Sequence, residues 1–371
     1  MKWAVAAIAT ICLCGCARGR AVTLDDDARQ YVRLALALGA RDPDSLLDAY
    51  AGPPEWRTAA NEAYRSFNDI WRDLVALRGR LRAQAEPADQ RAVFLEGQVD
   101  ALIARIDELR GARWPFGVEA ARLFGVELWK PGLPRSTAPA TARTEPPPPV
   151  PVSRVKQTFE QALARCRDET RRHVPLPRDE SVVVDAASSE RPWPAFTTYL
   201  GKHRSRVAIN TAFRFTERDL GELACHEGYP GHHAIYVWQD DALVRAGRVE
   251  FWVEPLFSPQ AFLDEAAASY APALVPGIID DLRSTTERDQ ARLAIAWRYL
   301  DGEMEFARAA NALESLAGTP GGPFLKFVNQ YRTYVAAYTA GRAMIARAVD
   351  KEPTLDARWQ TYRSLVVRGR F

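Results

Sequence analysis

The sequence predicts a mostly α-helical fold with one small β-sheet. Three observations lead there. Long segments on both sides of a proline-rich stretch repeat apolar residues at helical spacing. Three short runs rich in β-branched and aromatic residues, "SVVVDA", "AFTTYL" and "SRVAIN", lie close together in mid-chain, separated by turn material. Hydrophobic residues make up 47% of the 371, enough for a sizeable core in one large domain or two smaller ones.

The first residues read as a leader. Lys2 precedes a largely apolar run from Trp3 to Leu13, too short to span a bilayer comfortably and of signal-peptide length. It ends in Leu13-Cys14-Gly15-Cys16, which resembles a bacterial lipobox. Residues 1–15 are therefore expected to be removed as a lipoprotein signal peptide, leaving diacylglycerol on Cys16. Ala17 implies sorting to the outer membrane, so the chain is expected to be lipid-anchored in the cell envelope, facing the periplasm. Only Cys166 and Cys225 then remain in the mature body. An oxidising periplasm permits a bridge between them, though sequence alone does not place them within reach.

Residues 16–132 read as an N-terminal helical region. "DDDARQYVRLALALGA" opens with acids and ends near Gly39, and "AGPPEW" is a turn. "RTAANEAYRSFNDIWRDLVALRGRLRAQ" and "PADQRAVFLEGQVDALIARIDELRG" read as long amphipathic helices, and "GVEAARLFGVEL" as a shorter one. Residues 133–153 form a Pro-rich linker stiffened by Pro146 to Pro149. Residues 154–371 hold a helix, the three strands, the helix "TERDLGELACHEGYPGHHAIYVWQDDAL" with Thr216 as N-cap, and further helices. The formal net charge is only +2, with arginines interspersed among acids, which describes solvated faces rather than a nucleic-acid-binding stripe.

The chain has five histidines, and three fall within "HEGYPGHH", His226 to His233. Neutral imidazole is a good zinc ligand, and an adjacent Glu can take a proton from an activated water. The spacing departs from two histidines one helical turn apart. At about 100° per residue, His232 would point well away from His226 on a straight helix, and His233 would lie about 10 Å along the axis. Pro230 breaks the helix and Gly231 permits an unusual backbone. A two-residue bulge there brings His232 to the second ligand position; a bulge absorbed differently brings His233 instead, and the first is favoured. His226 and His232 are thus the expected ligands, Glu227 the base, and His233 a supporting, substrate-facing or alternative ligand. Glu265 is the best third ligand, with Asp264 able to hydrogen-bond a ligand histidine.

"HEGYPGHH" followed by "DEAAASY" resembles a large bacterial family assigned as zinc metallopeptidases and catalogued as a domain of unknown function. Its mark is His-Glu-x-x-Pro-Gly-His-His, then a Glu-Gly-Trp-Ala-x-Tyr-like helix. That family looks like a distant relative of the helical gluzincins, such as thimet oligopeptidase and carboxypeptidase Taq. The resemblance implies a gluzincin-like helical architecture with zinc as cofactor and Glu265 as third ligand. It matches Tyr270 to the family tyrosine. It makes "VAINTAF" the substrate-binding edge strand or the turn after it, with Asn210 and Thr211 as its polar pair. "YVAAYTAGR" resembles the family's Tyr-x-x-Gly segment, which makes Tyr338 the first candidate for oxyanion stabilisation, with Tyr334 and the substrate-facing Arg342 behind it. The resemblance covers mainly 154–371, with a weaker echo in "DAYAGPPEW"; Ala266-Ala267 replace the family's Gly-Trp.

The expected function is a zinc-dependent peptidase acting on peptides at the envelope. The alternatives are a catalytically silent lipoprotein that binds a peptide or envelope partner, and a zinc amidohydrolase acting on non-peptide amides. An intact Glu227 beside three histidines argues against the silent form.

Overall fold

The computed structural model describes residues 22–42, 47–84, 89–133, 147–279 and 282–368. The leader, Cys16 and most of the Pro-rich linker lie outside the described residues. The fold is mostly helical with one small sheet, as the periodicity predicts. No helix among the described residues is long and apolar enough to cross a membrane.

The N-terminal helices are α1 (Leu24–Gly39), α2 (Pro54–Glu62), α3 (Phe67–Gln84), α4 (Gln90–Leu109) and α5 (Phe116–Phe124). The stretch 57–84, predicted as one helix, is split between α2 and α3. Pro54 starts α2 inside the expected turn, where its missing N–H costs nothing. Ser66 then opens a new helix, accepting the Asp69 N–H at 3.1 Å and donating to its carboxylate at 2.6 Å.

Beyond the linker come α6 (Val152–His173) and the strands β2 (Ser181–Ala187), β3 (Ala195–Gly201) and β4 (Arg204–Asn210). These three predicted strands are joined by two short ones, β1 (Leu47–Tyr50) and β5 (Val253–Pro255), in the order β2-β4-β3-β1-β5. β2–β4 and β1–β3 are parallel; β3–β4 and β1–β5 are antiparallel. The remaining helices are α7 (Glu217–Glu227), α8 (His232–Gln239), α9 (Pro259–Tyr270), α10 (Leu282–Leu300), α11 (Phe306–Ala317), α12 (Gly321–Tyr331), α13 (Arg342–Val349) and α14 (Leu355–Arg368).

Helix α9 is central. Ser258 caps it by accepting the Ala261 N–H at 3.1 Å, and Gln260 to Ala268 are buried on every side. One flank packs with α6, α7 and α14; the other meets α5 and the Tyr334 segment. The regions before and after the linker share sheet and core, with Phe94 stacked on Phe251 at 4.8 Å and Phe124 against Phe262 at 5.3 Å.

Cys166 of α6 and Cys225 of α7 are joined by a disulfide in the core that carries α7. Replacing both by serine is expected to lower the unfolding free energy by about 4 kcal/mol, the chain-entropy value for a separation of 59 residues, read as a drop in the urea midpoint.

Candidate metal centre

The predicted helix across 216–243 breaks inside "HEGYPGHH". Gly231 N–H donates to the Cys225 carbonyl at 3.0 Å and Ala234 N–H to the Gly228 carbonyl at 3.1 Å. Both bonds join residues six apart, where an α-helix joins residues four apart. Two residues are therefore inserted, and His232 stands where the fourth residue after His226 would otherwise be. A Cβ on Gly231 would overlap the His226 carbonyl, so only glycine lets the two backbones approach this closely.

The bulge brings three predicted ligands together. His226 Nε2 lies 3.1 Å from Glu265 Oε1, and His232 Nε2 lies 3.6 Å from Glu265 Oε2. One donor atom from each of the three lies within 4.8 Å of the others. Two ligands about 2 Å from a tetrahedral ion are separated by roughly 3.3 Å, so two imidazoles and a carboxylate here fit a divalent transition metal. Burial raises the Glu265 pKa, but the His226 charge and the hydrogen bonds from both histidines outweigh it and hold the carboxyl well below its usual range. Asp264 is fully buried, which pushes its pKa up to about 7 against the Gln239 hydrogen bond and the nearby His232 charge. Gln239 Nε2 reaches both Asp264 oxygens, at 2.9 and 3.0 Å.

Other residues singled out in the sequence lie elsewhere. His233 points away from the other two histidines, so it is neither the alternative ligand nor substrate-facing. It is fully buried, with Nδ1 2.7 Å from Ser205 Oγ on β4 and Nε2 3.1 Å from Glu180. Burial lowers its pKa, and a neutral ring satisfies both contacts by accepting from Ser205 and donating to Glu180. Asn210 does not face substrate either. β4 is flanked by β2 and β3, so it is no edge, and the Asn210 amide ties down the loop before β3, donating to Ser189 and Arg191 carbonyls at 3.0 and 3.1 Å. Thr211 follows it, with its N–H on the Ala187 carbonyl. Tyr270 donates to Asp350 at 2.5 Å, and Tyr362 of α14 reaches both the Pro230 and Ala267 carbonyls at 3.1 Å, fastening the bulge to α9.

The cavity over the centre has a volume of about 70 Å³. Glu227 lines it, and so does the start of β3, from Ala195 to Thr197. Among the described residues β1 meets β3 only at Tyr199, so the strand edge at the site belongs to β3 rather than β4. Thr197 was not anticipated. Its hydroxyl lies 2.6 Å from Glu227 Oε2 and 2.9 Å from the Glu227 carbonyl. No local motif marks a threonine thirty positions before its partner; only the packing of α7 against β3 brings them together. Tyr338 lines the cavity with its ring nearly parallel to His226 at 6.5 Å, while Tyr334 donates to Glu265 Oε2 at 3.2 Å. The two tyrosines flank a change of helix type, with a π-turn over Ala337–Gly341 in which Gly341 lies against Ala266. Buried Glu119 of α5 fixes that segment, accepting from Arg332 Nε and Nη2 at 2.8 and 2.6 Å and from the Thr333 hydroxyl at 2.9 Å.

No family model matches the chain, and no curated protein matches it. Among solved structures, the chain is similar to "The crystal structure of the putative lipoprotein from Colwellia psychrerythraea", with a TM-score of 0.45 and 13% identity over 88% of this chain and 54% of that chain. The chain thus spans about half the length of that solved protein.

Gly231→Ala is expected to weaken metal binding about tenfold or more, measured by competition with a chromophoric chelator. Gly79→Ala, where nothing lies within 4 Å of the added carbon, should leave it unchanged. A second expectation concerns acid. Burial raises the Glu180 pKa, but hydrogen bonds from His233 and Tyr229 and the Arg167 charge bring it down from 4.5 to about 2. Its contribution is present above the unfolded value and is lost as pH falls from 4.5 toward 2. Glu180→Gln should be less stable at neutral pH and lose less stability over that window in denaturant titrations.

Proposed function

We propose that this chain is a zinc-dependent metallopeptidase tethered to the cell envelope, of the family its HExxPGHH sequence resembles. The observation that carries the reading is the two-residue bulge: it groups His226, His232 and Glu265 as a three-ligand set beside Glu227, in one cavity. Zinc in that set supplies Lewis acidity toward a substrate carbonyl and makes water a better nucleophile.

The chain's own residues do the rest. Glu227 takes the proton of the attacking water and passes it to the leaving amine. Thr197 holds the Glu227 carboxylate by a hydrogen bond, so that its other oxygen faces the cavity. The edge of β3 at Ala195–Thr197 receives the peptide backbone as an added strand. Tyr338 donates to the oxygen that becomes negative, and Tyr334 orients Glu265. Aromatic side chains, including Phe327 and Tyr331, exclude water and suit an apolar substrate side chain. The anchor follows from the Leu-Cys-Gly-Cys leader.

Glu227→Gln is expected to keep about one zinc per chain by elemental analysis while kcat on peptides falls by about 10²–10⁴. Equal rates for the variant and the wild type would sink this mechanism. Absence of hydrolysis in both would leave the non-catalytic peptide-binding lipoprotein.

A further inference from the structure

A second cavity shares His226, Glu227 and Tyr338 with the first and runs on to Arg214, Arg292 and Arg342. The two lobes differ in chemistry. Among the described residues, no lysine or arginine lines the aromatic lobe. In the other, one buried carboxylate serves two guanidinium groups: Arg342 Nε lies 2.8 Å from Asp289 Oδ2, and Arg292 Nη1 lies 3.4 Å from Asp289 Oδ1. Arg342 also reaches Thr286 at 3.4 Å, and Arg292 reaches Thr319 at 2.7 Å. A guanidinium has five N–H donors, so both keep donors beyond these bonds among the described residues. Arg214 is exposed at the rim and has no ion pair among the described residues.

Besides Asp289 and the shared Glu227, two further acids line this wall. Asp219 accepts from the Thr216 N–H and hydroxyl in the cap of α7, both at 2.8 Å. Glu222 pairs with Arg218 at 2.9 Å. Three guanidinium groups thus meet in this lobe, and each is a planar fork whose remaining N–H donors match a carboxylate.

We propose that this arginine-lined lobe is a subsite for a substrate carboxylate. The substrate class is then a peptide with an apolar or aromatic side chain on one side of the cleaved bond and a carboxylate on the other. This rests on the peptidase reading above. The carboxylate comes either from the chain terminus or from an Asp or Glu side chain, and both present the same two oxygens. Arg342, nearly buried, holds the floor of the lobe and Arg214 guards its entrance.

The test is calorimetric binding of four short N-acetylated, Phe-containing peptides to the full chain carrying Glu227→Gln and loaded with zinc. One pair differs only in a free or amidated C-terminus. The other pair is amidated and differs in Glu or Gln next to Phe. In at least one pair the carboxylate member should bind about tenfold tighter or better, the scale of one charge-assisted hydrogen bond; which pair discriminates identifies the source. Arg214→Ala and Arg342→Lys, each in that background, should reduce the discrimination severalfold. Arg214 is exposed, so its loss does not threaten folding, and Lys keeps a positive charge beside Asp289. Equal binding within both pairs, binding of none, or discrimination unchanged in both variants overturns the subsite. Hydrolysis by wild type is read separately. Rapid cleavage without carboxylate preference leaves the peptidase standing and removes the subsite; carboxylate-selective binding without any cleavage does the reverse.

Discussion

The hydrogen bond from Gly231 N–H to the Cys225 carbonyl is the constraint on which the centre depends. It closes a loop two residues longer than a helical turn, and so converts a spacing of six into the geometry of four. On an uninterrupted helix His226 and His232 would point to different flanks. The loop is held from several directions. The disulfide anchors Cys225 itself, Tyr362 grips the Pro230 carbonyl, and His233 ties the start of α8 to β4 and Glu180. The absent Cβ of Gly231 makes the approach sterically possible.

The molecule also buries several carboxyl groups. Glu265, Asp264, Glu180, Glu119 and Asp289 all lie inside. Burying an ion costs several kcal/mol unless partners replace its water, so these carboxylates are better explained by placement than by stability. Each has such a partner: two imidazoles for Glu265, Gln239 for Asp264, two arginines for Glu180. Glu119 extends the arrangement to the N-terminal helices. From α5 it holds Arg332 and Thr333, and so determines where Tyr331 and Tyr334 enter the cavity. The helices before the linker are thereby part of the centre.

Much of this was legible beforehand, and the parts that were not share a cause. Helical periodicity and the three β-rich runs led to the right fold class, since both patterns report burial of one face. Strands β1 and β5 were missed because four and three residues are too few to show alternation. Ser66 breaks a segment that reads as continuous, through its side-chain cap. The assignment of β4 as the substrate edge failed because strand order is a long-range property, and β3 lies between β4 and β1.

By itself, the sequence determined the residue types of the centre and the place of the break. His226, Glu227 and His232 are close along the chain, and Pro230-Gly231 carries local backbone restrictions that need no tertiary context. Glu265 was legible through its family-like helix. Only the tertiary structure decided between His232 and His233, because the choice rests on which ring finds Glu265 and which finds Ser205 and Glu180. It also decided the separate contacts of Tyr334 and Tyr338, the pairing of Thr197 with Glu227, and the sharing of Asp289 by Arg292 and Arg342. Those contacts join residues far apart in the chain, and no periodicity or local propensity encodes a distance between segments that only packing brings together.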